Sequence, residues 1–116
     1  MLLCVSSDGN NSESFIAKRF GHSNYLIIYD TETKKYEAQI YIHGGHNHDN
    51  LQKYLEKGVK VFIVGNIGPN AFEILKSAEG RIYLARKLTV VEAVELYSKG
   101  KLSELLEPTI SRSIGK

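Results

Sequence analysis

A buried strand, a glycine-bearing bend and a helix follow one another without a break in Val61-Phe62-Ile63-Val64-Gly65-Asn66-Ile67-Gly68-Pro69-Asn70-Ala71. No other stretch limits the fold of this chain as much. Val61 to Val64 read as a strand by their unbroken apolar run, and Pro69 stands where a helix opens and no amide donor is needed. Gly65 and Gly68 permit backbone conformations that other residues avoid, so the chain turns sharply and a ligand has room to approach the main chain. A bend between strand and helix also presents amide groups at a helix N-terminus, which suits an anion. Such glycines can equally serve only to turn the chain, and the bend alone does not separate the two uses.

With 116 residues the chain makes one domain with a real core. Its net charge of +2 is small, and its basic residues are interleaved with acidic ones, so neither a nucleic-acid stripe nor a single-strand platform is expected. The lone cysteine, Cys4, excludes an internal disulfide framework and fits a reducing cytoplasm. No apolar run approaches the length of a membrane span, and the first residues are too short for a signal peptide. A cytoplasmic protein with no membrane or nucleic-acid partner is the expectation.

Along the chain, residues 2–6, 25–29 and 36–42 read as strands, the last two joined as a hairpin through Asp30 to Lys34. A helix follows, with Asp49 as N-cap, Gln52 at the capping-box position and Gly58 closing it. Next come a strand at 59–64, a helix from Pro69 to about Ala78, and a short strand at 82–84. The last helix is capped by Thr89 with Glu92 three residues on, and Gly100 ends it. The order β-β-β-α-β-α-β-α gives an α/β mixed sheet with right-handed crossovers. Residues 1–105 form the binding domain and 106–116 a flexible tail. If the first strand pairs with both the hairpin and the fourth strand, four loops meet at one sheet edge. These are Asp8-Gly9, residues 19–24, the histidine loop and the Gly65–Asn70 bend, and ligands favour that edge in open α/β sheets.

Three of the four histidines, His43, His46 and His48, lie within six residues beside Gly44, Gly45 and Asp49. Neutral imidazoles clustered this way point to a transition metal or a metal cluster, although the spacing matches no closed structural zinc site. His22 reads as a surface or capping residue that could face the same edge, and Asp8 as an Asx turn at that edge. Cys4, in mid-strand, reads as a small hydrophobe rather than a thiolate ligand. No nucleophile elbow or P-loop is present, and the strand at 59–64 carries no carboxylate to join Asp8 at the carboxyl edge, so neither hydrolase nor nuclease chemistry is expected.

Ser7-Asp8-Gly9, Arg19-Phe20-Gly21, Asp30-Thr31-Glu32-Thr33, the Gly-Asn-Ile-Gly-Pro-Asn-Ala run from Gly65 and the Thr89-Val90-Val91-Glu92-Ala93 opening of the last helix occur together. In this combination the chain resembles the dinitrogenase iron–molybdenum cofactor biosynthesis family, with its NifX- and NafY-like members and the related domain of NifB. The resemblance implies a ribonuclease H-like three-layer fold with a five-stranded mixed sheet in the order 3-2-1-4-5. It also implies a small cytoplasmic carrier of iron–molybdenum cofactor, its precursor or other iron–sulfur material. Family sequences often continue Arg-Phe-Gly with Arg-Cys, where this chain has His22 and Ser23, so a thiolate is missing while the next loop gains histidines. The ligand set thereby shifts from sulfur toward nitrogen.

The resulting expectation is a non-enzymatic binding or carrier protein for a metallocluster or a single transition metal ion. Its partners would be cluster donor or acceptor proteins. Asp8, Arg19, His22, Gly65, Asn66, Gly68 and Asn70 would contact the cargo, and His43, His46 and His48 would ligate metal. An interaction module that binds a protein or a metal-free anion at the same edge is the alternative.

Overall fold

The computed structural model describes residues 1–41 and 56–110. Within them run β1 (Leu2–Ser7), a 3-10 turn (Phe20–His22), β2 (Tyr25–Asp30), β3 (Tyr36–Ile40) and β4 (Val61–Val64). Then follow α1 (Pro69–Ser77), β5 (Arg81–Leu84), α2 (Val90–Ser98) and β6 (Ser103–Glu104). The sheet order is β3-β2-β1-β4-β5-β6. β1 is antiparallel to β2, with Ser7 opposite Tyr25, and parallel to β4, with Val5 opposite Ile63. β4 and β5 run parallel with Val64 opposite Leu84, while β2 and β3 form the antiparallel hairpin. Of the helix expected over 49–58, only its end is described, and Gly58 there adopts φ +97°, as a closing glycine does.

Side chains alternate strictly across the sheet and sort the core into two layers. Cys4, Leu26, Phe62 and Val64 pack with Phe72 and Leu75 of α1 on one face. Leu3, Val5, Ile27, Val61 and Ile63 pack with Val90, Ala93 and Val94 of α2 on the other. All four residues of β4 are buried, as a central parallel strand covered on both faces requires. The capping box at α2 is complete: Glu92 N donates to Thr89 Oγ1, and Thr89 N donates to Glu92 Oε1 at 2.9 Å.

The sheet has six strands rather than five. After α2, Gly100 takes φ +71° and turns the chain back, so that Ser103 pairs with Leu84 and Glu104 with Tyr83. A two-residue strand carries no periodicity of its own, and this one is fixed from outside by its neighbour. Arg81 donates to Glu104 through Nη2 at 2.8 Å and Nε at 3.2 Å. Beyond residue 105, Thr109 N and Ile110 N donate to the Ile67 carbonyl, and Ile67 N donates to Thr109 Oγ1 at 2.8 Å. No helix among the described residues is long and apolar enough to cross a membrane.

The Arg81 guanidinium, by hydrogen bond and by charge, holds the Glu104 carboxyl below its ordinary pKa. A carboxyl depressed in the folded state contributes stability above the unfolded carboxylate range, about pH 4.3, and loses it as pH falls through the depressed value. The pair is largely exposed, so the effect is local to β6. Protection of the Leu105 amide, which donates to the Ile82 carbonyl at 2.7 Å, should therefore fall on acidification after correction for intrinsic exchange. Glu104→Gln should show the lower protection already at neutral pH. Protection that stays flat down to about pH 3 would assign β6 to backbone pairing alone.

Candidate functional site

The carboxyl ends of β1, β4 and β5 share one edge with the start of β2 and the end of β3. Along that edge the chain from Phe15 to Phe20 runs back across the strand ends. Ala17 N donates to the Ser6 carbonyl at 3.2 Å and Ile16 N to the Leu88 carbonyl at 2.9 Å. The tightest link is a two-way pairing with the bend: Asn66 N donates to the Lys18 carbonyl and Phe20 N to the Asn66 carbonyl, both at 2.7 Å. Gly65 makes this approach possible. A Cβ there would lie 2.7 Å from the Lys18 carbonyl oxygen and closer still to that of Ala17. Its lack of a side chain thus admits the protein's own backbone, not a ligand, and its φ is not in the left-handed region.

On one side of this link opens a cleft of about 220 Å³, walled by Arg19, His22, Asn66, Gly68, Asn70 and Ile110. Five of the seven residues expected to contact a cargo therefore line one cavity. Buried Phe20 forms part of its lining, its ring 5.7 Å from that of buried Tyr41. The Tyr41 amide donates to the Asn24 carbonyl at 2.9 Å, which holds Tyr41 at this edge. Gly68 is the N-cap of α1, with φ −84° and ψ 173°, and as a glycine it has no side chain with which to cap the helix. A Cβ at Gly68 would meet no protein atom within 4 Å. The C-terminal segment closes the far side through the Thr109–Ile67 bonds, which place Ile110 in the wall.

Asp8 lies at the same edge but outside this cleft. It is exposed, and its backbone is engaged by Phe15 and by Asn24 Nδ2 at 3.0 Å. Gly65 lines a different cavity. His43, His46 and His48 lie outside the described residues. Ser23, where a cysteine would be expected from the family pattern, is buried, and its hydroxyl donates to the Phe20 carbonyl at 2.6 Å. Cys4 is 1 % exposed, and burial pushes its thiol pKa up, so it offers no thiolate. Among the described residues no group of three His, Cys, Asp or Glu side chains could hold a metal ion. The described wall instead offers an arginine, an imidazole, two carboxamides and the first turn of a helix, which suit an anion.

The cavity on the other side of Asn66 was not anticipated. It measures about 210 Å³ and is lined by Ile16, Ala17, Lys18, Gly65, Asn66 and the Ala85–Lys87 turn. Its signal in the sequence was the carboxyl end of β5, which a parallel crossover must bring to the same edge as that of β4.

The two glycines of the bend should separate cleanly in equilibrium urea unfolding. Gly65→Ala forces backbone apart and should cost about 1–3 kcal/mol or more. Gly68→Ala, with allowed dihedrals and open space, should leave stability unchanged or raise it by about 0.4–1 kcal/mol. Equal losses would mean that the bend needs glycine for its turn and not for the approach of residues 17 and 18.

Residues 1–100 match the dinitrogenase iron-molybdenum cofactor family. No curated protein matches the chain. Among solved structures, a Thermotoga protein described as a candidate NifB protein of the DUF35 family shares 36% identity. It matches over 97% of each chain with a TM-score of 0.79. The apo form of the orange protein from Desulfovibrio gigas superposes with a TM-score of 0.84 at 23% identity, over 94% of this chain and 96% of that one. A candidate dinitrogenase from Methanocaldococcus jannaschii gives 0.71 at 20% identity, over 93% and 97%. These last two speak to the fold alone. By the match over residues 1–100 and the likeness to the Thermotoga protein, the chain belongs to the dinitrogenase iron-molybdenum cofactor family.

Proposed function

We propose that this protein is a non-catalytic carrier that holds an anionic metallocluster, of iron–sulfur or iron–molybdenum type, in the cleft beside Arg19. We read its fold as a ribonuclease H-like sheet extended by β6, and its setting as the cytoplasm. The observation that carries the proposal is the convergence of Arg19, His22, Asn66, Gly68 and Asn70 on one cavity in a chain of this family. A cluster brings its own sulfides, so it needs little from the protein beyond a cavity, positive charge and one or two exchangeable bonds. Arg19 and the first turn of α1 supply charge and dipole. His22, and His43, His46 and His48, which follow Tyr41 closely in the sequence, supply nitrogen donors. Bonds of this kind release as readily as they form, which suits handing the cargo from a donor to an acceptor protein.

Anaerobic reconstitution with iron and sulfide tests this reading by elemental analysis and visible absorption. The parent chain should take up iron and sulfide, the His43/His46/His48→Ala variant should lose them, and Arg19→Gln should bind more weakly. Gly68→Ala should also weaken uptake, because its methyl group would enter the open space beside the cleft that Gly68 lines. A protein that stays metal-free under these conditions would sink the proposal. The lining by Arg19, His22 and the first turn of α1, which suits any anion, also fits one other reading, a metal-free anion or protein ligand at the same cleft. In that case the histidine variant should keep its binding.

A further inference from the structure

We infer that the second cavity, between the Ile16–Lys18 segment and the Ala85–Lys87 turn, is a separate binding site for a phosphate group. It lies at the carboxyl ends of the adjacent parallel strands β4 and β5, where open α/β sheets receive ligands. Lys18, Arg86 and Lys87 surround it, a local concentration of cations in a chain whose net charge is only +2. Among the described residues none of the three has a carboxylate within ion-pair distance. The ion pairs found there join Met1 to Asp30 and Glu32, and Arg81 to Glu104. Surface cations normally have acids interspersed among them, and a cavity that gathers cations without acids favours an anion.

One of the cations is also held in place. Arg86 Nη2 donates to Asn66 Oδ1 at 2.7 Å, and Asn66 is itself fixed by its two backbone bonds to Lys18 and Phe20. One of the five guanidinium N–H donors is used in this way, which orients the fork and leaves the others for a ligand. Lys87 occupies the left-handed region at φ +62°, a conformation that costs a non-glycine residue roughly 1 kcal/mol or more and that glycine adopts freely. A lysine in a position suited to glycine places a charge at the cavity mouth at the expense of stability. Beneath the cations, buried Ile16, Ala17 and Ala85 make an apolar floor.

Charge and size set the ligand class. Two lysines and an arginine fit a dianion with several acceptor oxygens better than a single carboxylate. The volume of about 210 Å³ equals about seven waters at ~30 Å³ each, more than one tetrahedral oxyanion fills. The apolar floor then accommodates a small organic portion of a phosphomonoester, while inorganic phosphate would occupy the charged rim alone. One cavity of this size, without a basic stripe, does not fit a nucleic-acid backbone.

The test is an amide chemical-shift titration of the metal-free full chain with inorganic phosphate, and separately with glycerol 3-phosphate, at constant ionic strength. Sodium chloride is the control. Saturable shifts are expected at residues 17, 18 and 85–88 with either phosphate and none with chloride. The Arg86→Gln/Lys87→Gln variant should bind about tenfold or more weakly. Tighter binding of glycerol 3-phosphate would assign the site to phosphomonoesters, and equal binding to the free anion. Lys87→Gly serves as a second variant that cannot be faulted for folding: it should gain stability toward urea and lose phosphate affinity together. Chloride reproducing the shifts, affinity unchanged in both variants, or shifts confined to Arg19 and Asn70 would overturn the inference. Because the protein is metal-free throughout, this outcome is independent of whether the cluster cavity takes up iron.

Discussion

The pairing of residues 17–20 with Gly65 and Asn66 governs this molecule. Two backbone hydrogen bonds of 2.7 Å carry β4's ladder past its last residue and fasten a returning loop to the sheet edge. Each contributes about 1 kcal/mol net, and the two together fix the register of the loop against the bend. It depends on the missing side chain at Gly65, since any Cβ would strike the carbonyls of Ala17 and Lys18. The same ridge of main chain divides the edge in two. Arg19 and Gly68 lie on one side, Lys18 and Arg86 on the other, and Asn66 belongs to both. Two cavities of similar size are therefore the two flanks of a single structural necessity.

The helices show how the same edge serves stability at one point and leaves room for a ligand at another. α1 and α2 cover opposite faces of the sheet, yet both start at its carboxyl edge, because each follows the carboxyl end of a parallel strand, β4 or β5. α2 satisfies its first amides internally through Thr89 and Glu92, a device worth about 1 kcal/mol, and its start is further covered when Val90 and Val91 donate to the carbonyls of Ser14 and Ser12. α1 begins with Gly68 and Pro69, neither of which has a capping side chain. The first turn of α1 and Arg19 line the same cleft, and a helix N-terminus beside an arginine favours negative charge.

Local signals in the sequence were sufficient where the physics is local. The apolar run at Val61, the proline at 69, the capping box at Thr89 and the closing role of Gly58 each depend on near neighbours, and the structure has them as read. The meeting of Arg19, His22, Asn66, Gly68 and Asn70 followed from topology, once β1 was paired with both β2 and β4. Features that depend on distant partners were not legible. Gly65 looks like a turn glycine until the carbonyl of Ala17 arrives against it. β6 exists because Arg81 and β5 meet Glu104, and Thr109 gains its role only by reaching Ile67. Arg86 and Lys87 read as two more solvated cations, and only the neighbouring end of β4 turns them into the wall of a cavity.

The donor chemistry of the edge bears on how a cluster would be held. Sulfur is withdrawn from it twice: Cys4 is sealed in the core as a neutral thiol, and Ser23 spends its hydroxyl on the Phe20 carbonyl. What remains near the proposed cargo cleft is charge, carboxamide, imidazole and main-chain dipole. Thiolate bonds to iron fix a cluster in place, whereas charge and dipole attract one without bonding to its metals. A protein built from the second set recognises the overall charge and size of its cargo more than the identity of the metal inside it. On the proposed reading, selectivity among clusters would then come from the histidine donors and from the partner that delivers the cargo. Retention would depend on ionic strength, because Arg19 is exposed and its attraction is screened over about 8 Å at physiological salt.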